Sequence, residues 1–230
     1  MLYAIAGGLL GARIGYFVLE IPAQFLEEPG GLLWHPGFSF HGAVLGLFAG
    51  SAVFARNASV PFLELSDRLA VAGSIGFLLM SLGALLSNTE AGVVSTSMWS
   101  LRFPIYDEGN LKPPTRLPIF HAQCLWAALV VASVTSAERR RWFKARPPGV
   151  LSAFLILLIF SGLLALDPFK EERTHLAQTS YRLTSSAMDL LMALGGGYLF
   201  LRRAKARLLV SVPSSPASTI ALNDEHSKSN

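Results

Sequence analysis

Six apolar stretches, separated by polar segments, account for most of the 230 residues of the chain. A helix needs about 20 apolar residues to cross the hydrocarbon core of a bilayer, and each stretch is close to that length. The stretches cover residues 1–19, 40–56, 68–87, 119–136, 149–166 and 186–201. The pattern therefore predicts an all-α, polytopic integral membrane protein with about six transmembrane helices, which form one membrane domain of residues 1–211.

The charges between the stretches predict the direction in which each helix runs. Residues 20–39 contain three Glu and no Lys or Arg, whereas basic clusters occupy residues 138–146 and 202–207. Lys and Arg concentrate on the cytoplasmic side of a membrane. Both basic clusters, and both ends of the membrane domain, are therefore expected in the cytoplasm, and residues 88–118 are expected outside.

Two of the segments outside the predicted helices have predictions of their own. The outer loop of residues 88–118 is too long for a plain connection, and its aromatic and basic side chains suit the membrane interface. We expect it either to form an extracytoplasmic cap or to lie along the interface. Residues 212–230 are rich in Ser and too poor in apolar residues to build a core, so we expect a disordered tail.

Two rows of glycine predict how the first two helices meet. One row is Gly7, Gly11 and Gly15, and the other is Gly42, Gly46 and Gly50. Residues four apart lie on one face of a helix, and glycine lets a neighbouring backbone approach closely. We therefore expect the first two helices to pack against each other through these rows.

Arg13 and His41 are ionisable residues at or near membrane depth, where such residues are functional by default. A lone Arg at the centre of a membrane helix costs about 2.5 to 3.5 kcal/mol on insertion scales. Its partner is either an internal carboxylate such as Glu20 or a lipid phosphate. His41 is either an interfacial residue with local hydrogen bonds or an acid, base or phosphate ligand in a cavity.

Composition supports a membrane protein and excludes two other classes. Apolar residues make up 52% of the chain and charged residues 15%, against about 45 to 50% and 25% in soluble domains. The single cysteine, Cys124, excludes an internal disulfide. The net charge of +4 comes from cations beside the apolar stretches, which does not indicate nucleic-acid binding. No metal or cofactor is expected.

Two short motifs carry a resemblance to a known family. Residues 11–16 read Gly-Ala-Arg-Ile-Gly-Tyr, and residues 38–42 read Phe-Ser-Phe-His-Gly. They resemble the Gly-Gly-Arg-x-Gly-Tyr and Ser-Phe-His-Gly-Gly motifs of the bacterial prolipoprotein diacylglyceryl transferases. The register continues through Asp67, Ala70, Gly76, Gly83, Gly92, Trp99, Phe103 and Pro104. Members of that family have seven membrane helices, so the resemblance suggests a chain that lacks the first one.

The resemblance implies an activity and a set of site residues. The activity is transfer of a diacylglyceryl group from phosphatidylglycerol to the cysteine thiol of a lipoprotein precursor, in the bacterial inner membrane. The partners would be this anionic phospholipid and the precursor peptide. His41 would be the base, and the lipid phosphate would be bound by Arg13 and Tyr16, with Arg102 and Arg116 adding cations from the outer loop.

The chain departs from the family at several polar positions. An arginine of the family falls on Ser81, an asparagine on Ala84, a glutamate on Gln123 and a second arginine near Ala165. Such groups stabilise a leaving phosphate. Catalytic competence therefore stays open, with a non-catalytic lipid- or protein-binding homologue as the alternative. A transporter would show related halves, and the sequence has no such internal repeat.

Overall fold

The computed structural model describes residues 2–21, 30, 37–87, 92–102, 114–140, 145–170 and 176–206, with backbone only for residues 20, 87, 176–182 and 206. Within these residues the chain forms six long helices. They are α1 (Leu2–Gly15, continued by a π-helical turn Tyr16–Glu20), α2 (Phe40–Asn57), α3 (Phe62–Ser87), α4 (Ile119–Arg139), α5 (Val150–Leu166, continued by a 3-10 turn Asp167–Phe169) and α6 (Leu176–Ala206). The predicted all-α class is confirmed.

Four helical segments of the described residues are long and apolar enough to cross a membrane. They are Leu2–Leu19, Phe62–Leu86, Ile119–Arg139 and Val150–Phe169. This confirms a polytopic membrane protein. The count of six spans stays a prediction, although α2 packs on α1 and α6 packs on α5 in the same bundle. The proposed tail of residues 212–230 lies outside the described residues.

Two helices extend beyond the apolar stretches that predicted them. α3 begins at Phe62 rather than at residue 68, and its first turns hold an exposed pair in which Arg68 Nη2 lies 2.7 Å from Glu64 Oε1. α6 runs from Leu176 to Ala206 rather than over residues 186–201. Hydrophobicity identifies only the apolar part of a helix, whereas polar residues such as Glu64 and Arg68 can continue the same helix through pairs four residues apart.

The core lies between α3, α4, α5 and α6. Its fully buried members include Ala70, Phe77, Ala127, Val130, Val134, Leu151, Leu155, Ile159, Phe160 and Ala193. A carboxylate of α3 fixes the position of α5: Asp67 accepts hydrogen bonds from Gly149 N at 2.7 Å and Ser152 N at 2.8 Å. An anion suits the positive end of a helix. Asp67, one of the family-like positions, therefore has a structural role.

The two glycine rows face each other, as the sequence predicted. A Cβ atom added to Gly11 would lie 2.6 Å from Gly46 Cα, and one added to Gly15 would lie 2.6 Å from Gly42 Cα. Such separations leave no room for a side chain. The backbones also join directly, because Ser39 N donates to Ala12 O at 2.9 Å. The predicted packing of α1 on α2 is confirmed.

The described part of the outer loop contains a small antiparallel sheet, β1 (Leu101–Arg102) and β2 (Thr115–Arg116). Backbone hydrogen bonds tie it to the helix ends: Leu117 N donates to Val93 O at 3.1 Å, and Val93 N donates to Phe169 O at 2.9 Å. The loop is therefore anchored where α4 begins and α5 ends. Whether it forms an extracytoplasmic cap stays a prediction.

Candidate functional site

A buried imidazole–carboxylate pair joins α2 to α6. His41 Nε2 lies 2.9 Å from Asp189 Oδ1. Only 6% of the surface of His41 and 2% of that of Asp189 is exposed. The two residues are 148 positions apart in the sequence, so the pair forms only when α2 and α6 fold together. The hydrogen bond of His41 is thus a long-range contact inside the bundle.

Local sequence fixes the orientation of the His41 ring. His41 is the second residue of α2, and the hydroxyl of Ser39 caps this helix by accepting a hydrogen bond from Gly42 N at 3.4 Å. The ring stacks on Phe160, with centroids 5.9 Å apart and planes at 29°, and meets Phe40 edge-on at 6.1 Å. The rings of Phe160 and Phe40 therefore hold the imidazole with its Nε2 directed at the Asp189 carboxylate.

The pair assigns different roles to the two ring nitrogens. A carboxylate oxygen only accepts, so Nε2 of a neutral His41 carries the hydrogen and Nδ1 keeps the lone pair. Nδ1 is therefore the nitrogen that can take a proton from a substrate. The imidazolium that results would lie beside the Asp189 carboxylate, which stabilises it more strongly here than in water. This arrangement suits a general base.

Arg13 and Tyr16 meet the segment that leads into α2. Arg13 Nη1 donates to Gly37 O at 2.9 Å, and its guanidinium lies over the rings of Phe17 and Phe38 at 5.0 and 5.8 Å. The Tyr16 ring occupies the space where a Cβ of Gly37 would stand, and Gly37 has a φ of +151°. Position 37 therefore requires glycine, and both predicted lipid ligands lie at the entrance of α2.

The end of α1 widens into the π-helical turn Tyr16–Glu20. Such turns are frequent at functional sites. Here the turn follows the last close glycine contact and sets the Tyr16 and Phe17 rings edge to face, with centroids 5.5 Å apart. The side chain of Glu20, the internal partner considered for Arg13, lies outside the described part of the structure.

The two predicted arginines of the outer loop lie on the small sheet. Arg116 is 6% exposed, and its Nη1 donates to Gly92 O at 3.4 Å. Gly92 in turn forms an antiparallel backbone bridge with Lys170, which ties this part of the loop to the end of α5. Arg102 is exposed and pairs with Thr115 across the strands. The predicted ligands are thus divided between the entrance of α2 and the sheet.

A second polar cluster lies at the end of α5. Asp167 is 7% exposed, accepts a hydrogen bond from the hydroxyl of Ser186, and has its Oδ1 3.8 Å from Lys170 Nζ. Ser186 and Asp189 are three residues apart and therefore share a face of α6. Polar groups thus follow this face from Lys170 to the His41–Asp189 pair.

The departures at Ser81 and Gln123 meet in the structure. Gln123 Nε2 donates to Ser81 Oγ at 3.5 Å across the α3–α4 interface. Both side chains are buried. The positions at which the resemblance places an arginine and a glutamate therefore hold a neutral hydrogen-bonded pair.

Asp189 is the site residue that sequence analysis missed. It lies in the last predicted membrane stretch, 186–201, among apolar residues. A carboxylate in such a stretch is a functional signal in itself. That signal was present, but nothing in the sequence connects Asp189 with His41.

Comparison with known proteins gives consistent similarities. The family model described as prolipoprotein diacylglyceryl transferase matches residues 1–201. A phosphatidylglycerol–prolipoprotein diacylglyceryl transferase of Wolbachia pipientis subsp. Culex pipiens (strain wPip) is 25% identical over 202 residues, which cover 86% of this chain and 74% of the relative. Its counterpart in Bordetella avium (strain 197N) is 28% identical over 208 residues, 88% of this chain and 75% of the relative. The one in Teredinibacter turnerae (strain ATCC 39867 / T7901) is 33% identical over 160 residues, 67% of this chain and 52% of the relative.

Proposed function

Because the chain belongs to the prolipoprotein diacylglyceryl transferase family, we propose that it transfers a diacylglyceryl group from phosphatidylglycerol to the cysteine thiol of a lipoprotein precursor. Its relatives are named for this activity. The partners are then an anionic phospholipid and a precursor peptide. The corresponding location is the inner membrane of a bacterium, with the His41 end of α2 on the outer side.

The observation that carries this proposal is the 2.9 Å contact of His41 with Asp189. A free cysteine thiol has a pKa of about 8.5 and is mostly protonated at neutral pH. Its thiolate is the nucleophile, so the reaction needs a base. His41 supplies one through Nδ1, and Asp189 is a positioning residue that holds the ring and stabilises the imidazolium.

The transfer is a displacement at carbon. His41 Nδ1 takes the proton of the thiol, and the sulfur forms a bond to the glyceryl carbon that carries the phosphate ester. The carbon–oxygen bond of that ester breaks, and its electron pair stays on the leaving oxygen of glycerol phosphate. The proton held by His41 then passes to the released phosphate or to water. No electron is gained or lost in the process.

Cations stabilise the negative charge that grows on the leaving phosphate. Of the predicted lipid ligands, Arg13 and Tyr16 at the entrance of α2 are the nearest to His41 along the chain. Arg13 is the cation of the two, and it is suited to phosphate because its guanidinium donates two hydrogen bonds at once. Arg116 and Arg102 on the small sheet are the other two cations that the proposal assigns to the lipid, and Arg102 is the exposed one.

The buried pair also favours the transferase over a non-catalytic homologue. Burying a histidine and a carboxylate together has a desolvation cost that an apolar pair of similar volume would avoid. A scaffold that only binds lipid or protein has no use for a base at this depth. The alternative requires the His41–Asp189 pair to persist without a function.

The test is transfer by the purified protein from phosphatidylglycerol to a peptide that carries the cysteine of a lipoprotein precursor. We expect His41→Gln to lower the rate by about a hundredfold or more, the usual contribution of a general base. His121→Gln, a matched change of an exposed histidine on α4, is expected to leave the rate within about twofold of the wild type.

Two results would overturn the proposal. Wild-type protein that binds phosphatidylglycerol but leaves the peptide unmodified would indicate the non-catalytic homologue. Equal rates for His41→Gln and wild type would remove His41 from the chemistry. Growth of a cell depleted of its own transferase and supplied with this chain is the corresponding positive result in vivo.

A further inference from the structure

A cavity of about 360 Å³ lies between α2, α3 and α5, with α1 closing one side through Gly8. This volume lies within the range of about 300 to 1,000 Å³ that ligand pockets occupy. Its walls are almost entirely apolar, and they are formed mainly by Val44, Leu47, Leu69, Leu155, Ile156 and Ile159. The cavity therefore suits a hydrocarbon ligand.

One end of the cavity, here called the upper end, lies next to His41, the general base of the proposed reaction. Phe40 and Phe160 line the cavity, and both rings also contact the imidazole of His41. A ligand in the cavity would thus have its upper end separated from His41 by one aromatic ring. These two rings therefore form the wall between the cavity and the proposed site.

The wall contributed by α3 is open to the surroundings. Ala72, Gly73 and Gly76 line the cavity and are also exposed. A Cβ added to Gly76 would meet no atom within 4 Å. Small residues at the surface of a membrane helix leave a gap that faces lipid. We call the opening formed by Ala72, Gly73 and Gly76 the crevice.

The opposite, lower end of the cavity is lined by the hydroxyl groups of three serines. Ser66 Oγ and Ser152 Oγ lie 3.1 Å apart and also bond to backbone carbonyls. Ser51 is 1% exposed, and its hydroxyl is the one buried side-chain polar atom of the described residues that has no hydrogen-bond partner. We call these three residues the serine floor. Contact between hydrocarbon and an unpartnered hydroxyl is unfavourable.

The depth of the cavity matches one leaflet of a bilayer. Ser51 follows Phe40 by eleven positions on α2, which at about 1.5 Å per residue corresponds to roughly 16 Å. Half of the hydrocarbon core of a bilayer is about 15 Å thick. A chain that enters from the outer leaflet would therefore end close to the serine floor.

We propose that the cavity holds one acyl chain of the donor phospholipid, which enters through the crevice, and that the serine floor limits the length of chain that fits. This inference rests on the proposed function for the identity of the donor. A chain that ends above Ser51 is surrounded by apolar walls, and its glyceryl carbon lies at the mouth of the cavity, next to the Phe40 and Phe160 rings that border His41. A longer chain either buries its end against the hydroxyls or lifts the glyceryl carbon away from the base.

The test is photo-crosslinking in vesicles that contain phosphatidylglycerol with a diazirine at the end of one acyl chain. We expect label on α2 near Phe48 and Ser51 and on α3 near Leu69 and Gly73. Gly76→Leu, which fills the crevice without a clash, is expected to lower this labelling by about tenfold, the discrimination that a misfit of one methylene group produces in an apolar pocket. Gly83→Leu, also in open space on α3 but not lining the cavity, is expected to label like the wild type.

The serine floor has its own control. With palmitoyl and octanoyl phosphatidylglycerol in competition, Ser51→Ala is expected to shift binding towards the longer chain by about tenfold. Ser74→Ala, which removes a buried hydroxyl bonded to Val71 O and outside the cavity lining, is expected to leave the ratio unchanged.

The outcomes separate this inference from the proposed function. Chain-end label in the cavity with no transfer to the peptide would support the inference and contradict the transferase. Transfer with the chain-end label elsewhere, or equal labelling of Gly76→Leu and Gly83→Leu, would overturn the inference. The same experiment with the diazirine on the apolar segment of the precursor peptide tests the other occupant, and label in the cavity from the peptide instead of the lipid would overturn the inference as well.

Discussion

Gln123 Nε2 lies 3.5 Å from Ser81 Oγ across the interface of α3 and α4. Ser81 donates its own hydrogen to Phe77 O at 2.9 Å, so its oxygen is available as the acceptor for the amide. The resemblance to the family places charged residues at both positions. Losing only one of two opposite buried charges would leave the other unpaired at a cost of several kcal/mol. In this chain both positions are neutral, so neither leaves an unpaired buried charge.

We predict that Ser81→Arg and Gln123→Glu are coupled in their effect on stability. Ser81→Arg alone buries an unpaired cation, whereas the double variant restores an ion pair. The expected interaction energy is about 0.5 to 3 kcal/mol in favour of the double variant. Unfolding of all four proteins in detergent measures it. The control is Ser74→Arg, combined with Gln123→Glu in the same way. Additive effects of Ser81→Arg and Gln123→Glu would contradict the prediction.

Asp189→Asn is expected to lower the transfer rate by about a hundredfold, with little change in the KM for phosphatidylglycerol. The amide neither stabilises the imidazolium of His41 nor fixes the hydrogen on Nε2. Asp67→Asn, which weakens the hydrogen bonds to α5 instead, serves as the control and is expected to alter stability more than rate. If Asp189→Asn and Asp67→Asn lowered the melting temperature by the same amount and the transfer rate by the same factor, Asp189 would act only on the fold.

The glycine rows predict a clear order of tolerance to larger side chains. Gly11→Leu and Gly46→Leu each force a side chain into the opposite backbone, so we expect a loss of about 1 to 3 kcal/mol or more in the free energy of unfolding. Gly83→Leu is the control because a Cβ at this position meets no atom within 4 Å. Thermal unfolding in detergent compares the three variants, and similar melting temperatures would disprove tight α1–α2 packing in the membrane.

The charge distribution predicts that residue 109 lies outside the cell membrane and residue 144 inside. Fusions of a reporter that is active only outside the cytoplasm test both positions. We expect activity for the fusion at Gly109 and none for the fusion at Lys144. The reverse pattern would invert the orientation of every helix and remove His41 from the outer side.

The sequence predicted the features that depend on local pattern. The recurrence of glycine at every fourth residue predicted the α1–α2 interface, because a helix places residues four apart on one face. The pairing of His41 with Asp189 was beyond reach, since no periodicity relates residues 148 positions apart. Close contacts made by loops were equally hidden. Gly92 belongs to no glycine row, yet a Cβ there would collide with the carbonyl of Leu117.

Asp67 joins α3 to α5 near the N-terminal ends of both helices. Its carboxylate holds the backbone of Gly149 and Ser152, and Gly76 lies nine residues further along α3, at a distance of about 13 Å. When a helix tilts about a fixed point, the displacement of each residue grows with its distance from that point. A tilt of α3 about Asp67 would therefore displace the crevice more than it displaces Ser66, the neighbour of Asp67. The width of the crevice would then change while the position of Ser66 stays nearly constant.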